Sequence, residues 1–303
     1  MLGALPDPVL ARVRSIRGRP GPRTVELSEL DAELAEAARL FSVSEDQARS
    51  FLRGFVVAVP DGRPKDPFSD AYREWVWDVY RQVSGRNGYS VANEASPFDL
   101  EEAVIAPYPY STGSTTVVGE ELVARGFIIS ALGLEPPARV VEFGSGWANL
   151  TIDLATLGFQ VTAVEVEERF CALAERRVHR RANLTVARAG MLDFQTDERF
   201  DAAIFYESFH HCADHLAMLG RLAKIVSPKG KVLWAGEPVA PMSYPWGPRL
   251  DGYSLWSTRT YGWLELGFDV SYFAEALART GWRPSRRRLP AGSPLADVIV
   301  AHR

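Results

Sequence analysis

The sequence predicts an α/β fold: a doubly wound, mostly parallel seven-stranded sheet with a C-terminal antiparallel hairpin, plus an N-terminal helical cap. Three observations predict it. From residue 138 onward, short apolar runs of strand length alternate with helical patterns. The first of those runs ends in a glycine-rich turn that opens a helix. The last two runs follow each other with only a Pro-Ala-Gly-Ser-Pro linker between them, which reads as a hairpin.

Taken in order, residues 1–26 are rich in Pro, Gly and Arg and read as an irregular lead-in. Leu30, Leu34, Ala37 and Phe41 then mark one face of a helix. Ser44 followed by Gln47 resembles a capping box and opens a helix expected to carry Phe51, Phe55 and Val59. DGRPKDP (61–67) is a loop, and Tyr72, Val76, Val79 and Val83 mark a helix that SGRNG (84–88) ends. A helix from residue 117 carries Leu122, Gly126, Ile129 and Leu132. Strands are expected at 138–143, 160–165, 183–188, 201–206, 231–236, 282–289 and 296–302. The helices between them carry Leu150, Leu154 and Leu157 on one face, then Phe170, Ala174 and Val178, then 214–226 and 271–280. The division falls at 106/107: a cap on the substrate side over 1–106, and a catalytic domain over 107–303 with an aromatic insertion at 238–268.

Bulk properties narrow the partners. The chain has 303 residues, 47% hydrophobic and 24% charged, with a formal net charge of −4. That charge gives no broad positive field to hold nucleic acid or anionic lipid, so neither is expected. Two cysteines, Cys171 and Cys212, form no C-x-x-C pair and suit a reducing compartment. The first residues have no signal-peptide pattern and no run reaches membrane length, so a cytoplasmic protein is expected.

The strongest motif is Glu142-Phe-Gly144-Ser145-Gly146-Trp-Ala148 between a strand and a helix, where glycines permit a sharp turn and close ligand approach. A dinucleotide fingerprint would need a third glycine where Asn149 stands. The segment instead resembles motif I of class I S-adenosylmethionine (SAM)-dependent methyltransferases, with Ala148 in place of the last glycine. Glu165 ends the second strand, where an acid accepts both ribose hydroxyls. The resemblance implies that Asp193 receives the adenine amino group while Met191 and Leu192 lie against its ring. It extends the SAM-binding set to Glu142, Gly144, Ser145, Gly146, Val166 and Tyr206. Tyr110 and Ser114, in the approach to the first strand, are expected over the methionine end.

Tyr206-Glu207-Ser208-Phe209-His210-His211-Cys212-Ala213-Asp214 resembles the L-H-H-x-x-D segment of small-molecule methyltransferases. An N-P-P-Y type motif of amide and nucleobase methylases is absent there. Methyl transfer from a sulfonium is an in-line displacement, so alignment supplies much of the acceleration, and a hydroxyl acceptor must also lose a proton. His210 or His211 is the expected base, with Glu207 orienting or assisting and Glu237 a further candidate. Three histidines at 210–215 beside Glu207 and Asp214 raise a divalent metal as an alternative, but the spacing matches no metal signature and none is expected. Tyr244, Trp246, Tyr253, Trp256, Tyr261 and Trp263 suit a sugar or planar ring, or alternatively core packing or a homodimer contact. The expected reaction is methylation of a small molecule, at oxygen rather than nitrogen. A SAM sensor without turnover and an enzyme using SAM for other chemistry are the alternatives.

Overall fold

The computed structural model describes residues 21–178, 182–289 and 293–303. The chain begins with strand β1 (Arg23–Val25), helices α1 (Leu30–Phe41) and α2 (Glu45–Leu52), strand β2 (Phe55–Val57) and helix α3 (Asp70–Ser84). Ser44 and Ser69 cap α2 and α3 by accepting the Gln47 and Tyr72 amides, and Gly85 ends α3 at φ +67°. Tyr72, Val76, Val79 and Val83 are all buried, as their spacing predicts. Helices α4 (Leu100–Ile105) and α5 (Thr115–Leu132) lead to β3 (Arg139–Phe143).

Then come α6 (Asn149–Leu157), β4 (Gln160–Glu165), α7 (Glu168–Val178), β5 (Leu184–Arg188), β6 (Phe200–Tyr206), α8 (His215–Ile225) and β7 (Val226–Ala235). The remaining elements are β8 (Trp246–Pro248), α9 (Gly252–Tyr261), β9 (Leu266–Phe268), α10 (Val270–Arg279), β10 (Arg283–Arg288) and β11 (Asp297–His302). Among the described residues, seven strands form one sheet in the order β10-β11-β7-β6-β3-β4-β5. Pairing is parallel from β5 through β7, and β11 runs antiparallel to both β7 and β10. Strand order therefore reverses at β3, the switch point where doubly wound sheets bind ligands beyond their carboxyl ends.

Alternation along the strands sends residues to two cores. Val140, Ile204, Leu233, Val298 and Val300 meet Ile128 and Leu132 of α5 and Leu150 and Leu154 of α6. On the other face the register aligns Phe143, Phe205 and Trp234 across β3, β6 and β7, with the rings stacked at 5.1 and 6.1 Å. Such stacked pairs add roughly 0.5–1.5 kcal/mol each beyond area burial. This floor lies directly behind the β3 and β6 carboxyl ends and holds their loops in place.

The chain divides by packing into two units. One holds residues 95–237 and 274–303; the other holds the described part of the N-terminal region up to Glu94 together with 238–273. The boundaries differ from the 106/107 division expected from sequence, because 238–268 packs with the N-terminal helices. Tyr72 donates to the Trp246 carbonyl at 2.9 Å, and Tyr80 donates to the Gly262 carbonyl at 2.7 Å. Arg259 donates through Nε to the Val83 carbonyl at 2.7 Å. Tyr244, Trp246 and Tyr253 are buried in this second unit, whereas Trp256, Tyr261 and Trp263 stay half-buried.

Three local expectations are corrected. The helix expected to run past Phe55 stops at Leu52, and Phe55–Val57 pairs with β1 as a parallel strand. Its β-branched, aromatic sequence favours that ladder over another helical turn. Leu157 is exposed, since α6 ends there at Gly158. The strand expected at 231–236 starts earlier, at Val226, and its register to β6 jumps from Val226 to Lys231. The irregular lead-in over 1–26 and the hairpin linker at 290–292 lie wholly or partly outside the described residues; 23–25 form β1.

Candidate active site

Apart from Tyr110 and Ser114, which precede α5, the candidate residues lie at or just beyond the carboxyl ends of parallel strands. After β3 the chain turns through Gly144 at φ +68°, Gly146 at φ +46° and Ala148 at φ +57°. A Cβ at Gly144 would stand 2.6 Å from the Ser208 Cβ and 3.5 Å from the Met191 Cε, so only glycine fits. Ala148 accepts the left-handed conformation that a glycine would take there without strain, at a cost of about 1–2 kcal/mol.

Glu165 ties the turn to the end of β4. Its carboxylate accepts the Gly146 amide at 2.9 Å and the Val166 and Glu167 amides at 2.7 and 3.0 Å. Burial still pushes its pKa upward, against these hydrogen bonds. Glu142 lies on the face of β3 toward α6, where the Thr151 hydroxyl donates to it. Burial raises its carboxyl to about 8, so much of it is protonated at neutral pH.

After β5, the Asp193 and Phe194 amides close on the Gly190 carbonyl at 3.0 Å. Asp193 is exposed, and Met191 and Leu192 are half-buried with Met191 beside Gly144. Tyr206 donates to Glu121 of α5 at 2.7 Å. Tyr110 accepts from Arg125 at 3.0 Å, and Ser114 caps α5 by accepting the Val117 amide. The Tyr108 carbonyl of the same approach segment accepts from Asn149 at 2.7 Å.

The β6–α8 loop carries Glu207, His210 and His211, the residues expected from sequence to move a proton. Glu237, just past β7, accepts the Ser208, Phe209 and His210 amides at 2.8, 2.7 and 3.1 Å. Its Oε2 also lies 2.8 Å from His210 Nδ1, with both side chains buried. Burial favours the neutral Glu237 carboxyl, but His210 and the amides outweigh it and hold its pKa below the usual range. An ionised carboxylate only accepts, so His210 Nδ1 carries a proton, and Nε2 is the nitrogen that can gain or lose one. Glu237, a further candidate base from sequence, thus holds the His210 ring in a fixed orientation. The His211 ring sits 4.1 Å from that of His210.

Glu207 has φ +53°, a strained geometry for this residue, at the tip of β6. Gly236 lies against it; a Cβ there would collide with Glu207 Oε1. Asp214 caps α8 by accepting the Ala217 amide, and His215 is buried edge-on to Phe209.

Two polar atoms at the Gly-rich turn support a cofactor there. Ser145 Oγ and Asn149 Oδ1 are buried and have no hydrogen-bond partner among the described residues. Native structures rarely leave such atoms unpaired, so they fit a polar ligand over the turn. Around Trp147, the rings of Phe98, Tyr108 and Phe170 lie 4.9, 6.2 and 5.1 Å away. Sequence reading missed this cluster and Asn149, because neither belongs to a spacing motif.

Residues 141–234 match the family described as methyltransferase domain. These residues are a class I SAM-dependent methyltransferase domain. A demethylmenaquinone methyltransferase of Mycobacterium sp. (strain KMS) is 28% identical over 153 residues, covering 50% of this chain and 62% of that protein. The chain therefore spans about three fifths of the length of that relative. A ribosomal RNA small subunit methyltransferase A of Macrococcus caseolyticus is 27% identical over 171 residues, covering 54% of each chain. Among solved structures, the 1,6-didemethyltoxoflavin-N1-methyltransferase of Burkholderia thailandensis with S-adenosylhomocysteine has a TM-score of 0.45 at 19% identity, covering 71% of this chain and 92% of that one. The matched span includes the Gly-rich turn from Glu142 to Ala148. No helix among the described residues is long and apolar enough to cross a membrane.

Proposed function

We propose that the protein methylates a hydroxyl of a small molecule, a sugar or a biosynthetic intermediate, with His210 as the general base. The observation that carries this reading is the buried Glu237–His210 pair, in which the carboxylate holds the Nδ1 proton and so makes Nε2 the nitrogen that exchanges one. SAM, when bound, supplies an electrophilic sulfonium methyl. The chain's own residues do the rest. Glu165 and Asp193 hold the ribose hydroxyls and the adenine amine, while Met191 and Leu192 flank the ring. His210 removes the acceptor proton as the new bond forms, and Glu237 stabilises the resulting imidazolium. Glu207, held at a strained backbone position beside this pair, assists in acceptor orientation.

A net charge of −4 favours a small acceptor over nucleic acid. Catalysis is metal-free in this reading, and chelation tests that directly. The test is a panel of hydroxylated and amine acceptors assayed for SAM consumption, with and without EDTA. Turnover with a hydroxyl acceptor that EDTA leaves unchanged supports it; turnover confined to amines, or abolished by EDTA and restored by a divalent ion, contradicts it.

A further inference from the structure

We propose that Arg283, Arg287, His302 and Lys231 form a binding site for a small phosphate-bearing anion at the outer edge of the seven-stranded sheet. The strand register brings them together. Arg283 pairs with His302 of β11, and His302 pairs in turn with Lys231 of β7. Paired residues on neighbouring strands share a face, so three basic side chains form one row across three strands. Arg287 stands four residues along β10 from Arg283 and leaves the strand on that same face. The groups feel one another's charge. Burial and the charges of Lys231, Arg287 and Arg283 hold His302 below the ordinary imidazole range. Burial and then Arg287 lower the Lys231 ammonium as well.

The Asp297 carboxylate serves the other face of β10, where it pairs with Arg286 at 2.7 Å and Arg288 at 2.8 Å. Lys231 donates to the Leu132 carbonyl at the end of α5, at 2.8 Å, and Arg283 donates to a carbonyl oxygen of Arg303. Arg287 is exposed and makes no hydrogen bond or ion pair among the described residues. Like charges directly opposite one another destabilise a sheet. A charged edge strand does guard against chance pairing, but that purpose needs charge on β10 alone. Here β11 and β7 carry it too, and the missing member is a counter-charge from outside the chain. Two neighbouring guanidinium forks suit the oxygens of a phosphate group. The chain's net charge of −4 favours a small anion over a long polyanion, which would meet repulsion beyond the patch. Lys231 also pairs with Ala202 near the start of β6, so the row lies toward the strand ends opposite the Gly-rich turn.

The experiment titrates inorganic phosphate into the full-length protein at low salt, read by calorimetry and by the NMR shifts of the histidine Cε1 protons. His302→Gln assigns the His302 signal. Phosphate should bind saturably and raise the His302 pKa, because a bound anion favours the imidazolium. Arg287→Gln should weaken phosphate at least about tenfold. Arg288→Gln, which removes the same charge from the opposite face, should leave phosphate binding unchanged. Both arginines are exposed, and thermal melts check that both variants stay folded. Phosphatidylglycerol vesicles and a single-stranded oligonucleotide serve as the competing sources of phosphate and should bind no better than inorganic phosphate. No saturable binding in wild type, or an equal loss in the two variants, overturns the site. Tighter binding of vesicles or oligonucleotide that Arg287→Gln abolishes overturns the assignment to a small anion.

Discussion

At His210 the chemistry depends on which nitrogen holds the proton, and the answer comes from Glu237, 27 positions away in sequence. Replacing His210 by Ala should lower kcat by roughly 10²–10⁴ while leaving SAM affinity nearly unchanged. Glu237→Gln should also lower kcat, and it should move the acid limb of the pH–rate profile to lower pH. The imidazolium would lose its neighbouring negative charge, an effect that a purely structural residue would not produce. Full activity in both variants would remove the pair from catalysis. Glu142 gives a second prediction, on stability. Its carboxyl is raised from 4.5 to about 8, so the folded chain holds a proton that the unfolded chain releases. Stability should therefore fall as pH rises from about 4.5 through about 8 and then level. Glu142→Gln, neutral at every pH, should raise Tm above pH 8 and change it little near pH 4.5, read by thermal melts across that range. Equal shifts at both ends would contradict the assigned cause. Of these residues, sequence identified Glu142, His210 and Glu207 through motifs. The Glu237–His210 bond was not legible, since no spacing rule joins the ends of two neighbouring strands.

Elements follow the same division between local and long-range information. Strands β3 to β7 and the β10–β11 hairpin are legible because buried parallel strands are short apolar runs bounded by turn residues. Phe55–Val57 was misread because its pairing partner, Arg23–Val25, lies in a segment rich in Pro, Gly and Arg that carries no strand pattern of its own. The Gly-rich turn offers a test at this scale. Ala148 stands at φ +57°, and glycine adopts that conformation without the clash. Ala148→Gly should therefore hold or raise stability by about 1 kcal/mol, against the loss that Ala→Gly normally causes in or beside a helix. A loss of about 1 kcal/mol in chemical denaturation would contradict the strained geometry.

For the whole molecule, sequence located the catalytic sheet but divided the chain at a single point, whereas packing joins residues 238–273 to the N-terminal region. The long aromatic segment was read as an insertion because its partners, such as Tyr72 and Tyr80, lie more than a hundred residues away in sequence. Deleting only the residues before 95 should expose the buried Tyr244, Trp246 and Tyr253 and cause aggregation. Removing 238–273 as well, with a short linker, should restore a soluble protein, as read by size-exclusion chromatography. A monodisperse single deletion would show that the two segments do not depend on each other. The central claim, that SAM binds the turn between β3 and α6, is tested most directly by titrating S-adenosylhomocysteine into wild type and Glu165→Ala in a calorimeter. Wild type should bind with micromolar or better affinity and ignore NAD, and Glu165→Ala should weaken binding by about 1.5–3 kcal/mol through lost charge-assisted hydrogen bonds. Equal affinity in the two proteins, or no binding in wild type, would contradict it.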